Sequence, residues 1–238
     1  MPLPKLATMK FSMKMNNKEW FFRPFLVKEE KALLIALESN DLPTIQQAIL
    51  DVVVACFDYT GDISKLPYFE VEKMFLALRA KSVAEIVTLN YSHKGDKNYK
   101  GEDCDHVTAV RVNLENVEIR YPSGAASLNH IKLDDQYTIN LRYPSILDVS
   151  TMVEKQTIDE LEMISRCVVS VFDADAEYAA EDLEDTKRFI SELTSDQYGR
   201  VVEFFKNMPY LHQTINYKCG KCGQEENVDL RGLEDFFA

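Results

Sequence analysis

The chain has 238 residues with a formal net charge of -12, and 46% of the residues are hydrophobic. This length and composition are sufficient for a well-packed core in one large domain or two small ones. The acidic balance argues against a general nucleic-acid binder, because binding to phosphates depends on a positive surface that releases counterions.

The cysteines and the N-terminus predict a reducing compartment. There are five cysteines, an odd number, and the opening Met-Pro-Leu-Pro lacks the apolar segment of a secretory signal peptide. No stretch of about 18 apolar residues predicts a transmembrane helix. We therefore expect a globular protein of the cytoplasm.

The N-terminal third predicts a β-hairpin followed by helices. Residues 9–23 alternate between apolar and polar types on either side of the turn Asn16-Asn17-Lys18, as in a hairpin. Helical periodicity follows at residues 27–39, 41–56 and 62–83, with Pro43 and Pro67 near two of the helix starts. In the first helix, Leu33, Leu34 and Leu37 form the predicted core-facing stripe.

The middle of the chain predicts an antiparallel meander. Strand-like alternation occurs at residues 86–91, 107–112, 117–121, 127–133 and 137–143, with a polar loop at 93–105 and a turn at Asp134-Asp135. Pro144 ends this section. The order of elements, with strands and helices in separate runs, predicts an α+β fold.

The C-terminal third predicts helices and a last hairpin. Thr157 and Glu160 have the spacing of a capping box for a helix at 159–172, and further helices are expected at 183–193 and 195–207. We assign three segments: 1–83 (hairpin plus helices), 84–144 (antiparallel sheet) and 145–238 (helices and terminal hairpin). Together they form one or two compact units.

The last 25 residues resemble half of a zinc ribbon, since two strands flank Cys219-Gly-Lys-Cys222-Gly. A similar unit occurs in the middle of the chain. Thr88-Leu-Asn-Tyr-Ser-His93 resembles Thr214-Ile-Asn-Tyr-Lys-Cys219, and Val112-Asn-Leu-Glu-Asn-Val117 resembles Val228-Asp-Leu-Arg-Gly-Leu233. The sequence therefore contains two hairpins of one design.

A zinc ion is the candidate cofactor, because a Cys-x-x-Cys turn directs two thiolates to one tetrahedral metal. The other two ligands must come from elsewhere, and the nearest candidates are His93, Cys104, His106 and His212. We predict Cys219, Cys222, Cys104 and His106 as the ligand set, which requires the two hairpins to meet. A turn that keeps its shape without metal and a redox-active pair are the alternatives.

The sequence offers candidate protein-binding residues but no catalytic ones. No nucleophile with a paired histidine and no phosphate-binding glycine motif is present, so we predict no enzymatic activity. The candidate protein-binding residues are aromatic or basic and lie near the two ends of the chain: Trp20, Phe22, Arg23, Phe25, Lys28, Lys31, Phe236 and Phe237. Core packing of the first hairpin is the alternative for its aromatic residues.

Four parts of the sequence carry a resemblance to a known family. They are Met1-Pro-Leu-Pro-Lys-Leu, Phe22-Arg-Pro-Phe-Leu-Val-Lys-Glu-Glu-Lys-Ala-Leu-Leu, Leu66-Pro-Tyr-Phe-Glu-Val-Glu-Lys-Met-Phe-Leu-Ala-Leu-Arg-Ala-Lys-Ser-Val, and Ile131-Lys-Leu-Asp-Asp with Tyr143-Pro-Ser. Together they resemble the baseplate hub assembly proteins of T-even-like contractile-tailed bacteriophages, over nearly the whole chain. Where members carry a cysteine at the first position of the middle hairpin, this chain has His93 and then a long loop before Cys104.

The resemblance implies a virus-encoded, non-enzymatic protein needed to build the tail baseplate hub. It would act as a chaperone or scaffold that binds other hub proteins in the host cytoplasm during virion morphogenesis. A permanent structural subunit of the hub, located in the virion tail baseplate, is the first alternative. A zinc-ribbon adaptor that binds nucleic acid is the second.

Overall fold

The computed structural model describes residues 7–93, 97–122, 129–154 and 159–236. Its strands are β1 (Phe11–Met15), β2 (Lys18–Phe22), β3 (Ile86–Tyr91), β4 (Thr108–Asn113), β5 (Glu118–Arg120), β6 (His130–Lys132), β7 (Thr138–Leu141), β8 (Val168–Phe172), β9 (Glu177–Ala179), β10 (Tyr210–Lys218) and β11 (Glu225–Arg231). Its helices are α1 (Val27–Glu38), α2 (Leu42–Cys56), α3 (Tyr68–Ser82), α4 (Ile146–Glu154), α5 (Glu160–Cys167), α6 (Leu183–Ser191) and α7 (Ser195–Lys206). The α+β class is confirmed.

Local sequence signals account for the first hairpin and for the start of the second helix. Asn16 and Asn17 both have positive φ, 52° and 58°, which is the geometry of a two-residue turn matched to the twist of β1 and β2. The Asp41 side chain accepts from the backbone N–H of Thr44 at 3.1 Å and so caps α2.

The predicted helix at 62–83 is interrupted at its start. A 3-10 turn (Ile63–Lys65) precedes Pro67, and α3 begins at the residue after this proline. Proline lacks the N–H that a helix interior requires, so the regular hydrogen bonding starts beyond it.

The middle strands are antiparallel, but they belong to three different sheets instead of one continuous meander. β3 pairs only with β4 among the described strands, β5 joins the edge of the β10–β11 hairpin, and β6 and β7 continue into β8 and β9. β5 and β7 therefore each complete their hydrogen bonds with a strand that is distant in sequence, β10 and β8 respectively. Residues 127–128 of one predicted strand lie outside the described residues.

The helix predicted at 159–172 is wrong in its second half. α5 ends at Cys167, and the following Val-Val-Ser-Val-Phe forms β8, which pairs with β7 and β9. Residues with branched β-carbons are stiff in a helix and pack well on a sheet, and the central position between two strands satisfies both edges of β8. Asp159 caps α5, whereas Thr157 of the predicted capping box lies outside the described residues.

Buried apolar side chains form two clusters. The first is built by β1 to β4, α2, α3 and the terminal hairpin, and the second by β6 to β8 with α5, α6 and α7. Residues from the N-terminal half of the chain therefore form most of the first cluster, and the second cluster is formed by later residues. The last two strands, β10 and β11, again belong to the first cluster. The division of the chain into segments 1–83, 84–144 and 145–238 stays a prediction.

Within the described ranges, no helix is both long and apolar enough to cross a membrane.

Candidate functional site

The two hairpins that resemble each other in sequence pack together in space. β4 contacts β10, and the Tyr91 and Tyr217 rings, which hold equivalent positions in the two repeats, stack with centroids 5.6 Å apart. The equivalent Leu89 and Ile215 are both buried in the first cluster. Apolar packing of the strands therefore brings the polar tips of both hairpins to one place.

The tip of the terminal hairpin is a tight turn that directs two cysteines to one side. Cys219 donates its backbone N–H to the carbonyl of Gln224 at 2.8 Å, and Gly223 donates to the carbonyl of Cys219 at 3.0 Å. Gly223 has φ +75°, in the left-handed region that favours glycine. Cys219 and Cys222 are thereby held close to each other.

The loop between β3 and β4 folds over this tip. Tyr99 donates its backbone N–H to the Gln224 side chain at 2.6 Å, and Lys221 forms an ion pair with Asp105 at 2.8 Å. These two contacts lie on either side of Cys104 in sequence. They hold its thiol against the terminal hairpin, although 115 residues separate Cys104 from Cys219.

Four donor atoms converge at this junction. The ligand atoms of His93, Cys104, Cys219 and Cys222 all lie within 4.8 Å of one another. The Sγ atoms of Cys104 and Cys219 are 3.9 Å apart, and His93 Nε2 is 3.2 Å from Cys222 Sγ. His93, Cys104 and Cys219 are buried, and Cys222 is partly exposed. Three sulfurs and one imidazole nitrogen form a donor set suited to a soft divalent cation.

The surroundings of the thiols favour negative charge on one of them. The backbone N–H groups of Cys222 and Lys221 point at the Cys219 sulfur and lower the pKa of this thiol to about 6, against the effect of burial. The Cys104 sulfur accepts from the backbone N–H of His106, but burial and the neighbouring thiols outweigh this bond and raise its pKa. Of these two thiols, that of Cys219 is thus the more readily ionised.

The second ring nitrogen of His93 faces a carboxylate. His93 Nδ1 lies 3.3 Å from Glu226 Oε1, and the Gln224 side chain donates to the same carboxylate oxygen. In the tautomer that donates Nδ1–H to Glu226, the Nε2 lone pair is directed toward the sulfurs.

The structure brings together three of the four predicted ligands, Cys104, Cys219 and Cys222. His93 completes the group, and His106 does not. The His106 ring lies over Gly220, where an added Cβ would be 2.9 Å from Nε2. His212, another candidate, lies on β10 with Nε2 3.4 Å from Asp229. The sequence contained the signal for His93, because this residue aligns with Cys219 in the repeated segment.

Most of the aromatic residues predicted to bind proteins lie in the core. Trp20, Phe22 and Phe236 are all less than one-tenth exposed, and Phe25 packs against the same cluster. Because these side chains pack within the first cluster or against it, little of their surface is available to a partner. Phe237 lies outside the described residues.

The basic residues of the predicted surface are partly accessible. The Lys28 side chain is 75% exposed, and Lys31 is also exposed. The Arg23 guanidinium is instead engaged within the protein, since it forms an ion pair with Glu29 at 3.1 Å and donates to the carbonyl of Ala55.

The outer face of α1 is more apolar than the sequence predicted. Leu33 and Ala36 face the core, whereas Leu34 and Leu37 of the predicted stripe are 53% and 54% exposed. Ile35 is 69% exposed.

The family model described as T4 bacteriophage base plate protein matches residues 6–238 of the chain. Comparison with curated proteins and with solved structures finds no match.

Proposed function

Because the chain belongs to the T4 bacteriophage base plate protein family, we propose that it is a non-enzymatic assembly factor for the baseplate hub. A structural or assembly role in the phage tail baseplate, with other baseplate proteins as partners, follows from this membership. The factor would act as a chaperone or scaffold on hub proteins. The match over residues 6–238 is the observation that supports the proposal most directly.

The outer face of α1 is the proposed binding surface. Val27, Lys31 and Ile35 succeed one another at a spacing of four and therefore lie on one side of the helix. Val27 is 66% exposed and Ile35 69%, so this side offers apolar contact area next to cationic groups. We infer that its occupant is a hub protein with an apolar surface rimmed by carboxylates.

Charge reversal of this face should impair assembly. The double substitution Lys28→Glu and Lys31→Glu places negative charge opposite the acidic rim, which slows encounter and weakens the complex. The expected result is a fall of about tenfold or more in completed baseplates in infected cells, counted by electron microscopy. Ile35→Ser, on the same face, should act in the same direction through lost apolar contact.

The matched control changes charge by the same amount on other elements. Lys65→Glu with Lys206→Glu alters exposed lysines on the 3-10 turn and on α7, and should leave assembly unchanged. Thermal melting checks folding, because Lys28 also lies 3.3 Å from the buried Glu29 carboxylate. Normal assembly by folded Lys28/Lys31 and Ile35 variants would eliminate α1 as the binding surface.

A permanent structural subunit of the hub is the alternative that the family description equally permits. A subunit would be present in finished particles at a fixed ratio to the other hub proteins, whereas an assembly factor would be absent. Quantitative mass spectrometry of purified mature particles separates these two functions.

A nucleic-acid adaptor is the less favoured alternative. It would use the Cys/His junction as a zinc ribbon, but the net charge of -12 opposes counterion release from a phosphate backbone. Binding to DNA or RNA that weakens with rising salt would support it, and we expect none at physiological ionic strength.

A further inference from the structure

We propose that His93, Cys104, Cys219 and Cys222 bind one structural zinc ion, which joins the tips of the β3–β4 and β10–β11 hairpins. The inference rests on the geometry of the junction and is independent of the proposed role in assembly.

The spacing of the donor atoms fits a tetrahedral metal. Zinc binds thiolate sulfur at about 2.3 Å, so the corners of a tetrahedral thiolate site lie about 3.8 Å apart. The Cys104 and Cys219 sulfurs are 3.9 Å apart, and the His93 Nε2 to Cys222 Sγ distance is 3.2 Å. With all four atoms within 4.8 Å of one another, small side-chain adjustments bring them to bonding distance from one central ion.

The contacts behind the donor atoms are those of a metal site. Histidine ligands of zinc commonly donate their second ring N–H to a carboxylate, which orients the ring. Glu226 occupies this position at 3.3 Å from His93 Nδ1. Backbone N–H groups of Lys221 and Cys222 point at the Cys219 sulfur, and that of His106 points at the Cys104 sulfur. These donors compensate part of the negative charge that three thiolates would bring.

A disulfide does not account for the arrangement. All five cysteines are free, and 3.9 Å between the Cys104 and Cys219 sulfurs is far longer than an S–S bond of about 2.05 Å. Three of these four residues are buried. Without a metal ion, their donor atoms would be crowded together with no common partner.

The type of donor atoms indicates zinc, and their number indicates a structural role. Thiolate and imidazole ligands favour zinc over the oxygen-preferring calcium and magnesium. Four protein ligands fill a tetrahedral shell and leave no position for a substrate or a catalytic water, so the ion would be structural.

Metal analysis of the purified full-length chain tests the proposal. We expect about one zinc ion per chain by inductively coupled plasma mass spectrometry, and loss of most of it in Cys219→Ser and in His93→Ala. His106→Ala and Cys167→Ala are the matched controls and should keep their zinc. The histidine pair separates the proposed site from one completed by His106.

Two measurements on the wild-type protein test the site even if the variants fail to fold. Cobalt bound in place of zinc should show the d–d absorption of a tetrahedral site together with sulfur-to-cobalt charge-transfer bands. Removal of the metal by a chelator should lower the thermal melting temperature, and added zinc should restore it. Zinc-free protein that cannot be loaded, full zinc in both His93→Ala and Cys219→Ser, or a mass showing a disulfide at these cysteines would overturn the proposal.

Discussion

The buried carboxylate of Glu72 makes the stability of this protein depend on pH. Glu72 on α3 is 7% exposed, and its Oε1 accepts the backbone N–H of Leu233 at 3.1 Å. Burial raises the pKa of this carboxyl to about 7, and the nearby Glu234 adds to the effect, whereas the bond from Leu233 opposes it. Tyr68 on the same face is also affected, since burial raises its pKa to about 12.

Glu72→Gln should make the protein more stable than the wild type at neutral pH, because the variant has no charge to bury at this position. The folded pKa of Glu72 lies above its ordinary value of 4.5, so the unfolded chain ionises first as pH rises. Stability is therefore lost between pH 4.5 and about 7, by about 3 kcal/mol. Gln keeps the bond to Leu233 without a charge, and the variant should be the more stable protein above pH 7.

Urea unfolding at several pH values measures this difference. Glu192→Gln, at an exposed carboxylate on the C-terminal side of α6, is the matched control and should follow the wild type. Parallel curves for Glu72→Gln and wild type from pH 4.5 to 7 would show that Glu72 is ionised in the folded protein.

At the scale of elements, ion pairs fix the ends of helices to strands. Arg142, just after β7, contacts both Asp148 oxygens at 2.6 and 3.2 Å and also donates to the carbonyl of Arg166 near the end of α5. Asp148 accepts two more bonds from Ser145, through its backbone N–H and its hydroxyl. One carboxylate therefore connects the end of β7 to the first turn of α4.

Asp148→Asn should destabilise the protein by about 2 kcal/mol at pH 7, because the Arg142 guanidinium then lacks its charged partner. Burial alone would raise the pKa of Asp148, but the bonds from Arg142 and Ser145 outweigh it and hold the pKa below its ordinary value. The stabilisation is present above the unfolded pKa and is lost as pH falls through the folded pKa.

Denaturant unfolding at pH 7 and at acid pH checks both statements about Asp148. The difference between wild type and Asp148→Asn should shrink at acid pH. Asp196→Asn, which removes an exposed ion pair with Arg200, should cost only a few tenths of a kcal/mol. An equally small effect at Asp148 would contradict the role of this pair.

At the scale of the whole molecule, aromatic side chains connect the two clusters. The Tyr143 ring stacks on Phe204 of the second cluster with centroids 4.7 Å apart, and meets the edge of Phe69 on α3 at 5.5 Å. Tyr68 also donates its backbone N–H to the carbonyl of Pro144 at 2.8 Å. The segment around residue 143 is thus a main contact between α3 and the second cluster.

Tyr143→Ala should weaken the coupling of the two clusters. Loss of the ring removes about 3 kcal/mol of packing, and unfolding should separate into two transitions. Differential scanning calorimetry measures this, with Tyr178→Ala as the control, since that ring is 54% exposed. A single transition at the wild-type temperature would show that other contacts couple the clusters.

The sequence determined the local structure of this protein. The Asn16-Asn17 turn, the Asp41 cap, the helix start after Pro67 and the turn at Cys219 and Cys222 each depend on a few adjacent residues. The repeated segments also predicted that the two hairpins share one design. The Cys-x-x-Cys spacing predicted Cys219 and Cys222 as ligands, and the repeated middle hairpin added Cys104.

Only the tertiary structure decided the long-range partners. Alternation shows that a segment is a strand but not which edge completes its hydrogen bonds, so β5 could not be assigned to β10 from sequence. The Val-Val-Ser-Val-Phe segment became a strand because β7 and β9 lie on either side of it. Likewise, His93 and His106 were both plausible ligands, and the stacking of the two hairpins placed His93 beside the three sulfurs and His106 over Gly220.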